Sequence, residues 1–377
     1  MSEVYIISAV RTAIGTGKPA GGLTPFDPVD LGAQVLRHVV THAGIEPEFI
    51  EDFIWGCVTP IGDQGANIGR LSVLMAGFPV AVPAVTLNRM YGSGQQAVHF
   101  GAQAILAGDM DLVIAGGTEM MSHRPIGSDW PEQWPDQFPF ELVHQGTSAE
   151  MMAEKWELTR EILDGYGYQS HLRAMQAIKQ GNFENQIMAI TRPDGVVVEQ
   201  DEGVRIPPDR EKMRQLMPVF KQDGMITAGN SSQISDASAA LVLASPSAVG
   251  RFNLSPRAKI AARVVIGSDP VLMLYGPIPA TRQVLMRAGL DLADIDVIEI
   301  NEAFASVVLA WEQELEPDMS RINPNGGAIA LGHPLGVTGA ILMTKLLFEL
   351  ERSAGRFGLQ TMYIGHGMAT ATIIERI

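Results

Sequence analysis

The chain has 377 residues, a formal net charge of −15, 46% hydrophobic residues, 39 glycines and 23 prolines. That length accommodates two or three ordinary domains, and the composition is that of a packed, loop-rich globular protein, not a disordered or fibrous one. The acidity excludes neither small ligands nor phosphate held at helix N-termini, but it argues against nucleic acid and against an anionic membrane surface as partners.

In chain order, the N-terminus (Met1-Ser2-Glu3-Val4-Tyr5-Ile6-Ile7) turns polar within a few residues and lacks the basic start and long apolar run of a signal peptide. Residues 43–56, Ala-Gly-Ile-Glu-Pro-Glu-Phe-Ile-Glu-Asp-Phe-Ile-Trp-Gly, predict a helix end, an acidic turn and an apolar strand. The single cysteine, Cys57, follows; no internal disulfide and no cysteine metal cluster can form, and no metal site is expected. At 88–94, Asn-Arg-Met-Tyr-Gly-Ser-Gly is a glycine turn opening a small-residue helix over 92–107, which leads to a β-rich run at 112–116. Tyr91 therefore sits at a helix N-terminus, where the dipole favours a developing anion.

Residues 118–235 change character, with Trp130, Trp134, several prolines, helices predicted over 148–155 and 159–180, and a charged turn at Asp201-Glu202. This reads as an inserted domain covering a site on the core. The first pattern then returns. Residues 288–301, Ala-Gly-Leu-Asp-Leu-Ala-Asp-Ile-Asp-Val-Ile-Glu-Ile-Asn, repeat the order of 43–56, and a glycine turn, a helix over 336–350 and a β-rich run at 361–364 follow. Alternating strand and helix patterns in two copies predict an α/β fold of two similar halves with a mainly parallel sheet. No stretch approaches about 18 consecutive apolar residues, and the terminal Glu-Arg-Ile carries no organellar address, so a cytoplasmic location is expected.

Five stretches carry a resemblance to the thiolase family over nearly the whole chain: Ser-Ala-Val-Arg-Thr-Ala-Ile-Gly (8–15), Ala-Gly-Gly-Thr-Glu-Met-Met-Ser (115–122), Thr-Ala-Gly-Asn-Ser-Ser (227–232), Asn-Glu-Ala-Phe-Ala (301–305) and Gly-His-Pro-Leu-Gly (332–336). The resemblance implies two βαβαβαββ halves packed as a five-layer αβαβα core, with residues 1–117 and 236–256 in the N-terminal half, 118–235 as a loop domain cradling coenzyme A, and 257–377 in the C-terminal half. It implies acyl-CoA thioesters as ligands, CoA as substrate or product, no covalently bound cofactor, and a homodimer or homotetramer. By position, His333 matches the histidine that activates the nucleophile, and Asn301 the asparagine that completes an oxyanion hole with it. The backbone N–H groups of Tyr91 and Gly365 match a second oxyanion hole. His144 and Ser232 match loop-domain contacts to the pantetheine, and Met273 and Phe304 match apolar positions of the acyl tunnel. For the last two, plain core packing competes with a selective role. His366 stands where glycine is common, either as a further proton-transfer group or as a cap of its turn.

The departure lies at the two positions where the family carries its catalytic cysteines, which here are Tyr91 and Tyr363. At pH 7 about 3% of a free thiol but only about 0.1% of a free phenol is ionised, and thiolate is the better nucleophile toward a thioester. A phenol instead donates or accepts one proton at a held position. Three readings follow: a Tyr/His enzyme making or breaking a C–C bond beside a CoA thioester by aldol or retro-aldol chemistry; a thiolase scaffold inactivated at both cysteines, by engineering or as a binding subunit; and an acyltransferase using Tyr91 as nucleophile. Thiolase-superfamily aldolases that rely on tyrosines work beside a small OB-fold protein, which would be the corresponding partner here.

Overall fold

The computed structural model describes residues 3–377; Met1 and Ser2, the start of the N-terminal segment read above, lie outside the described residues. Nine main strands carry the architecture: β1 (Tyr5–Thr12), β2 (Asp52–Gly56), β3 (Ala84–Leu87), β4 (Leu112–Met120), β5 (Ser235–Ala244), β6 (Ala258–Gly267), β7 (Val297–Ile300), β8 (Phe357–Ile364) and β9 (Met368–Arg376). They line up in the order β7-β8-β9-β6-β1-β5-β4-β2-β3, within an eleven-stranded sheet that two very short strands complete.

The internal repeat is visible in both punctuation and pairing. Helix α1 (Pro28–Ala43) starts on an Asp27 cap followed by proline and ends at Gly44 in the left-handed region, φ 67°. The helix Pro277–Ala288 likewise starts on proline and ends at Gly289, φ 67°. Each glycine is followed by one short 3-10 turn and then by β2 or β7. Glycine is favoured there because a side chain would be strained at positive φ. In the first half β2 pairs parallel with β4, β4 antiparallel with β5, and β5 antiparallel with β1. In the second half β7 pairs parallel with β8, β8 antiparallel with β9, and β9 antiparallel with β6.

The sheet is therefore mixed, which corrects the mainly parallel sheet expected from the alternating pattern. The reason is local. Only three residues, 365–367, join β8 to β9, and so tight a connection allows only an antiparallel pair. The equivalent connection in the first half runs from Met120 to Ser235. The long inserted segment thus occupies the place of a hairpin turn.

The half-sheets meet through a short antiparallel pairing of β1 with β6, Tyr5 opposite Lys259 and Ile6 opposite Ala258. Between them, α2 (Ser93–Ala107) packs on α3 (Thr338–Ser353). Helix α1 covers the outer face of the first half-sheet and Pro277–Ala288 that of the second, giving five layers. The expected helices at 148–155 and 159–180 are Gln145–Lys155 and Arg160–Lys179. A fully buried ion pair ties the inserted segment to the core, with Arg11 Nη1 and Nη2 donating to Asp201 at 2.7 and 2.9 Å. Among the described residues no helix is long and apolar enough to cross a membrane.

Candidate active site

The two inner helices begin at turns that face one another. Met90, at φ 43°, forces a sharp bend before Tyr91, and α2 begins two residues later. Opposite, Gly332 at φ 117° bends the chain before His333; a Cβ on Gly332 would come within 2.2 Å of Ser235 Oγ. Neither turn shape is accessible to an ordinary side chain without strain. The rings of Tyr91, His333 and Tyr363 consequently cluster: Tyr91 lies 5.6 Å from His333 and 5.5 Å from Tyr363, centroid to centroid. The backbone of Gly365 approaches the same ring, since a Cβ there would be 3.7 Å from Tyr91 Cε2.

His333 is held on both sides. Its Nδ1 lies 2.7 Å from Thr338 Oγ1, and that hydroxyl donates its own proton to Pro334 O at 2.7 Å. Thr338 must therefore accept from His333, so the proton sits on Nδ1 and Nε2 carries a lone pair. Asn301 Nδ2 donates to Nε2 at 3.3 Å, and Asn301 Oδ1 is buried without a protein partner. Burial lowers the His333 pKa to about 3, so the ring is neutral. Burial, with Asp129 nearby, pushes the Tyr91 phenol well up, and burial does the same for Tyr363. Both are protonated phenols at neutral pH.

Glu119, near the end of β4, ties the segment that follows β2 to the turn carrying His333. Its carboxylate accepts from Val58 N at 2.7 Å, Thr59 N at 3.2 Å and Gly336 N at 2.9 Å. Burial raises its pKa to about 7 despite those donors. Cys57 lies beside it, fully buried, with burial raising its thiol; it takes no part in the ring cluster.

A cavity of about 240 Å³ opens at His333 and is walled by His144, Gln145, Phe220, Ser232 and Phe304, among others. His144, Phe220 and Phe304 form a run of rings, 5.2 and 6.0 Å apart in succession. His144 also caps the helix Gln145–Lys155, its Nδ1 accepting from Gly146 N. Thus four of the residues singled out by sequence, His144, Ser232, Phe304 and His333, meet on one wall. Met273 does not reach that wall and packs in the apolar core. His366 sits at φ 60° in the 365–367 turn, its ring tilted against Trp130 and edge-on to Trp134.

Three residues of the site had not been singled out. Gln145 accepts from Tyr363 O–H at 2.9 Å; its only signal in the sequence is adjacency to His144. Thr338 follows His333 by five residues across a proline turn. Glu119 lay in a quoted stretch with no task assigned to it.

The family model for the thiolase N-terminal domain matches residues 4–247, and that for the thiolase C-terminal domain matches 254–376. The chain is 48% identical to the steroid 3-ketoacyl-CoA thiolase FadA6 of Mycobacterium tuberculosis, covering 100% of this chain and 95% of that protein. It is 39% identical to the beta-ketothiolase BktB of Cupriavidus necator, covering 100% and 99%. Among solved structures, the Bacillus anthracis acetyl-CoA acetyltransferase superposes with a TM-score of 0.92 at 37% identity, covering 100% of this chain and 99% of that one.

Proposed function

This chain belongs to the thiolase family, and from that premise we propose that it binds an acyl-CoA thioester and makes or breaks the C–C bond beside the thioester by proton transfer between His333 and Tyr91, with no covalent acyl-enzyme. The observation that carries this reading is the chain from His333 Nδ1 to Thr338 Oγ1 to Pro334 O, which leaves the Nε2 lone pair toward Asn301 and the ring cluster. A neutral imidazole whose remaining lone pair meets only a long contact from Asn301 can take a proton, and a protonated phenol can give one while being a poor nucleophile.

For a 3-hydroxyacyl-CoA, His333 Nε2 takes the hydroxyl proton and the Cα–Cβ bond breaks. The carbonyl fragment leaves, and the electron pair moves into the thioester enolate. Asn301 Nδ2, the newly formed Nε2–H and the backbone N–H groups of Tyr91 and Gly365 are the proposed holders of the enolate oxygen. Tyr91 O–H then protonates Cα and recovers its proton from His333. Read in reverse, the same steps build the bond. Tyr363, whose proton is directed to Gln145, is assigned a holding role in this scheme. The Tyr91 acyltransferase reading loses ground, because burial drives the phenol further from ionisation.

Binding of the CoA part is supported by a second cavity of about 300 Å³, bordered by Arg205, Lys212, Met213 and Leu216, that shares Gln233 with the first. Arg205 suits phosphate, Lys212 is paired with Asp209 on the same rim, and the apolar residues suit a base ring. A second copy of the chain as partner is supported by the edge strand β3 and the exposed Leu71, Leu74 and Val85 around it.

The test is to offer the protein a 3-hydroxyacyl-CoA, and separately a 3-oxoacyl-CoA with free CoA. Release of a shorter acyl-CoA from the first, without thiolysis of the second, is expected. Tyr91→Cys with Tyr363→Cys is expected to gain thiolysis. Thiolysis by the unaltered chain, or a mass increase on Tyr91, would overturn the proposal. The competing reading is a CoA-thioester-binding scaffold without turnover, favoured by the absence of both phenols from the wall of the cavity; it predicts binding with neither reaction.

A further inference from the structure

Tyr363 is fully buried, and its phenol, protonated at neutral pH in any case, is pushed further from ionisation by burial. A buried O–H needs an acceptor. Among the described residues the acceptor is Gln145 Oε1, at 2.9 Å. This contact chooses between the two orientations of the Gln145 amide. With Oε1 turned to Tyr363, Nε2 lies on the opposite side of the amide carbon. Gln145 is on the cavity wall and Tyr363 is not. Nε2 has no protein hydrogen-bond partner among the described residues and is not one of the buried, unsatisfied atoms.

We infer that Gln145 is a specificity-determining residue, whose Nε2 donates to an oxygen carried on the acyl chain of the substrate, and that Tyr363 is the residue that positions it. Gln145 stands on the same wall as His333 and Phe304. The rest of that wall includes apolar Met121, Ile126, Phe220 and Leu335, so an oxygen-free chain is accommodated without using the amide. An acyl-CoA with a hydroxyl, oxo or ether oxygen close to the thioester satisfies the donor. The inference rests on the proposed function for the binding of CoA thioesters, and adds to it the class of acyl group. It also gives Tyr363 a reason to be a phenol and not a thiol. A strong, always-protonated donor at the far end of the amide fixes which end the substrate meets.

The probes are 3-methoxybutyryl-CoA and 3-methylpentanoyl-CoA, which differ only in an ether oxygen replacing a methylene. The ether has no hydroxyl proton for His333 to remove, so it is not cleaved during titration. The readout is the ratio of their dissociation constants by calorimetry. In the unaltered chain the ether is expected to bind about three- to tenfold tighter, the range of one hydrogen bond. Gln145→Leu should bring the ratio to about one. Gln145→Glu, an acceptor when ionised, should bring it below one. Tyr363→Phe should lower it without removing any group that touches the ligand.

A ratio of one in the unaltered chain, or a preference that survives Gln145→Leu, overturns the inference while leaving CoA-thioester binding intact. A preference lost in Gln145→Leu but unchanged in Tyr363→Phe overturns the positioning part alone. Failure of both thioesters to bind would sink the proposed function, and the inference with it.

Discussion

His333 owes its tautomer to Thr338, because the threonine hydroxyl has already committed its proton to Pro334 O. Removing that acceptor should release the ring to either tautomer and to rotation. Thr338→Val is therefore expected to lower kcat for C–C cleavage about tenfold, with Thr338→Ser retaining most of the activity; equal loss in both would argue that the side chain acts by packing alone. His333→Ala should lower kcat by about two to four powers of ten, the range of one general base. Burial puts the His333 pKa at about 3, so its base form is complete well below neutrality. The pH–rate profile should accordingly show no histidine limb between pH 5 and 7, and a limb near pH 6.5 would mean that the ring is solvated in the working enzyme. The sequence singled out His333 and Asn301, since each lies in a compact motif. Thr338 and Gln145 escaped it because a hydrogen bond to an imidazole or a phenol leaves no mark in residue spacing.

Turns and strand ends, more than whole elements, carry the site. Gly332 combines φ 117° with a Cβ position 2.2 Å from Ser235 Oγ. Gly332→Ala should destabilise the fold by at least about 1 kcal/mol and reduce activity further than the lost stability explains, measured by denaturant melts beside steady-state rates. The attachment of the inserted segment is a separate matter. Arg11 and Asp201 are both fully buried, and Asp201 Oδ1 also accepts from Ile14 N at 2.8 Å. Asp201→Asn leaves a buried guanidinium without its counter-charge, which costs about 3–5 kcal/mol. A loss under about 1 kcal/mol in a urea melt would show that the segment is anchored elsewhere. The helices of both halves were legible from their glycine stops. Strand direction was not: the same alternation fits parallel and antiparallel pairs, and the three-residue link at 365–367 decided it.

Across the molecule, buried titratable groups of opposite sense set the response to pH. His99 and His333 have pKa values lowered to about 3 and His171 to about 4, mainly by burial. Their neutral forms stabilise the fold at and above the ordinary histidine range, and that contribution is lost as pH falls from about 6.5 toward 4 for His171 and toward 3 for His99 and His333. Glu119 is raised by burial to about 7, and burial also raises Glu299 beside Lys345. A carboxyl whose folded pKa is raised stabilises below the ordinary carboxyl range, and the contribution is lost as pH climbs toward 7. Between pH 5 and 6.5 the two sets oppose one another. Below about pH 4.5 the unfolded carboxyls are largely protonated as well, so the histidines act unopposed. Tm should therefore vary little from pH 5 to 7 and fall steeply below about 4.5. Substituting His99 and His171 by Gln should shallow the acid fall; an unchanged acid limb would place its origin in surface carboxylates.

The sequence by itself determined the repeat, the half-domain helices, the family, and three residues, His144, Ser232 and Phe304, that stand on the cavity wall beside His333. These are properties of order and local geometry, written in glycine stops, capping residues and short motifs. Only the tertiary structure decided that the insertion replaces a hairpin turn, that Met273 is core, that Thr338 sets the histidine tautomer, and that Tyr363 gives its proton to Gln145. Those facts depend on groups distant in the chain arriving within a hydrogen bond's length, and on the burial that comes with that packing.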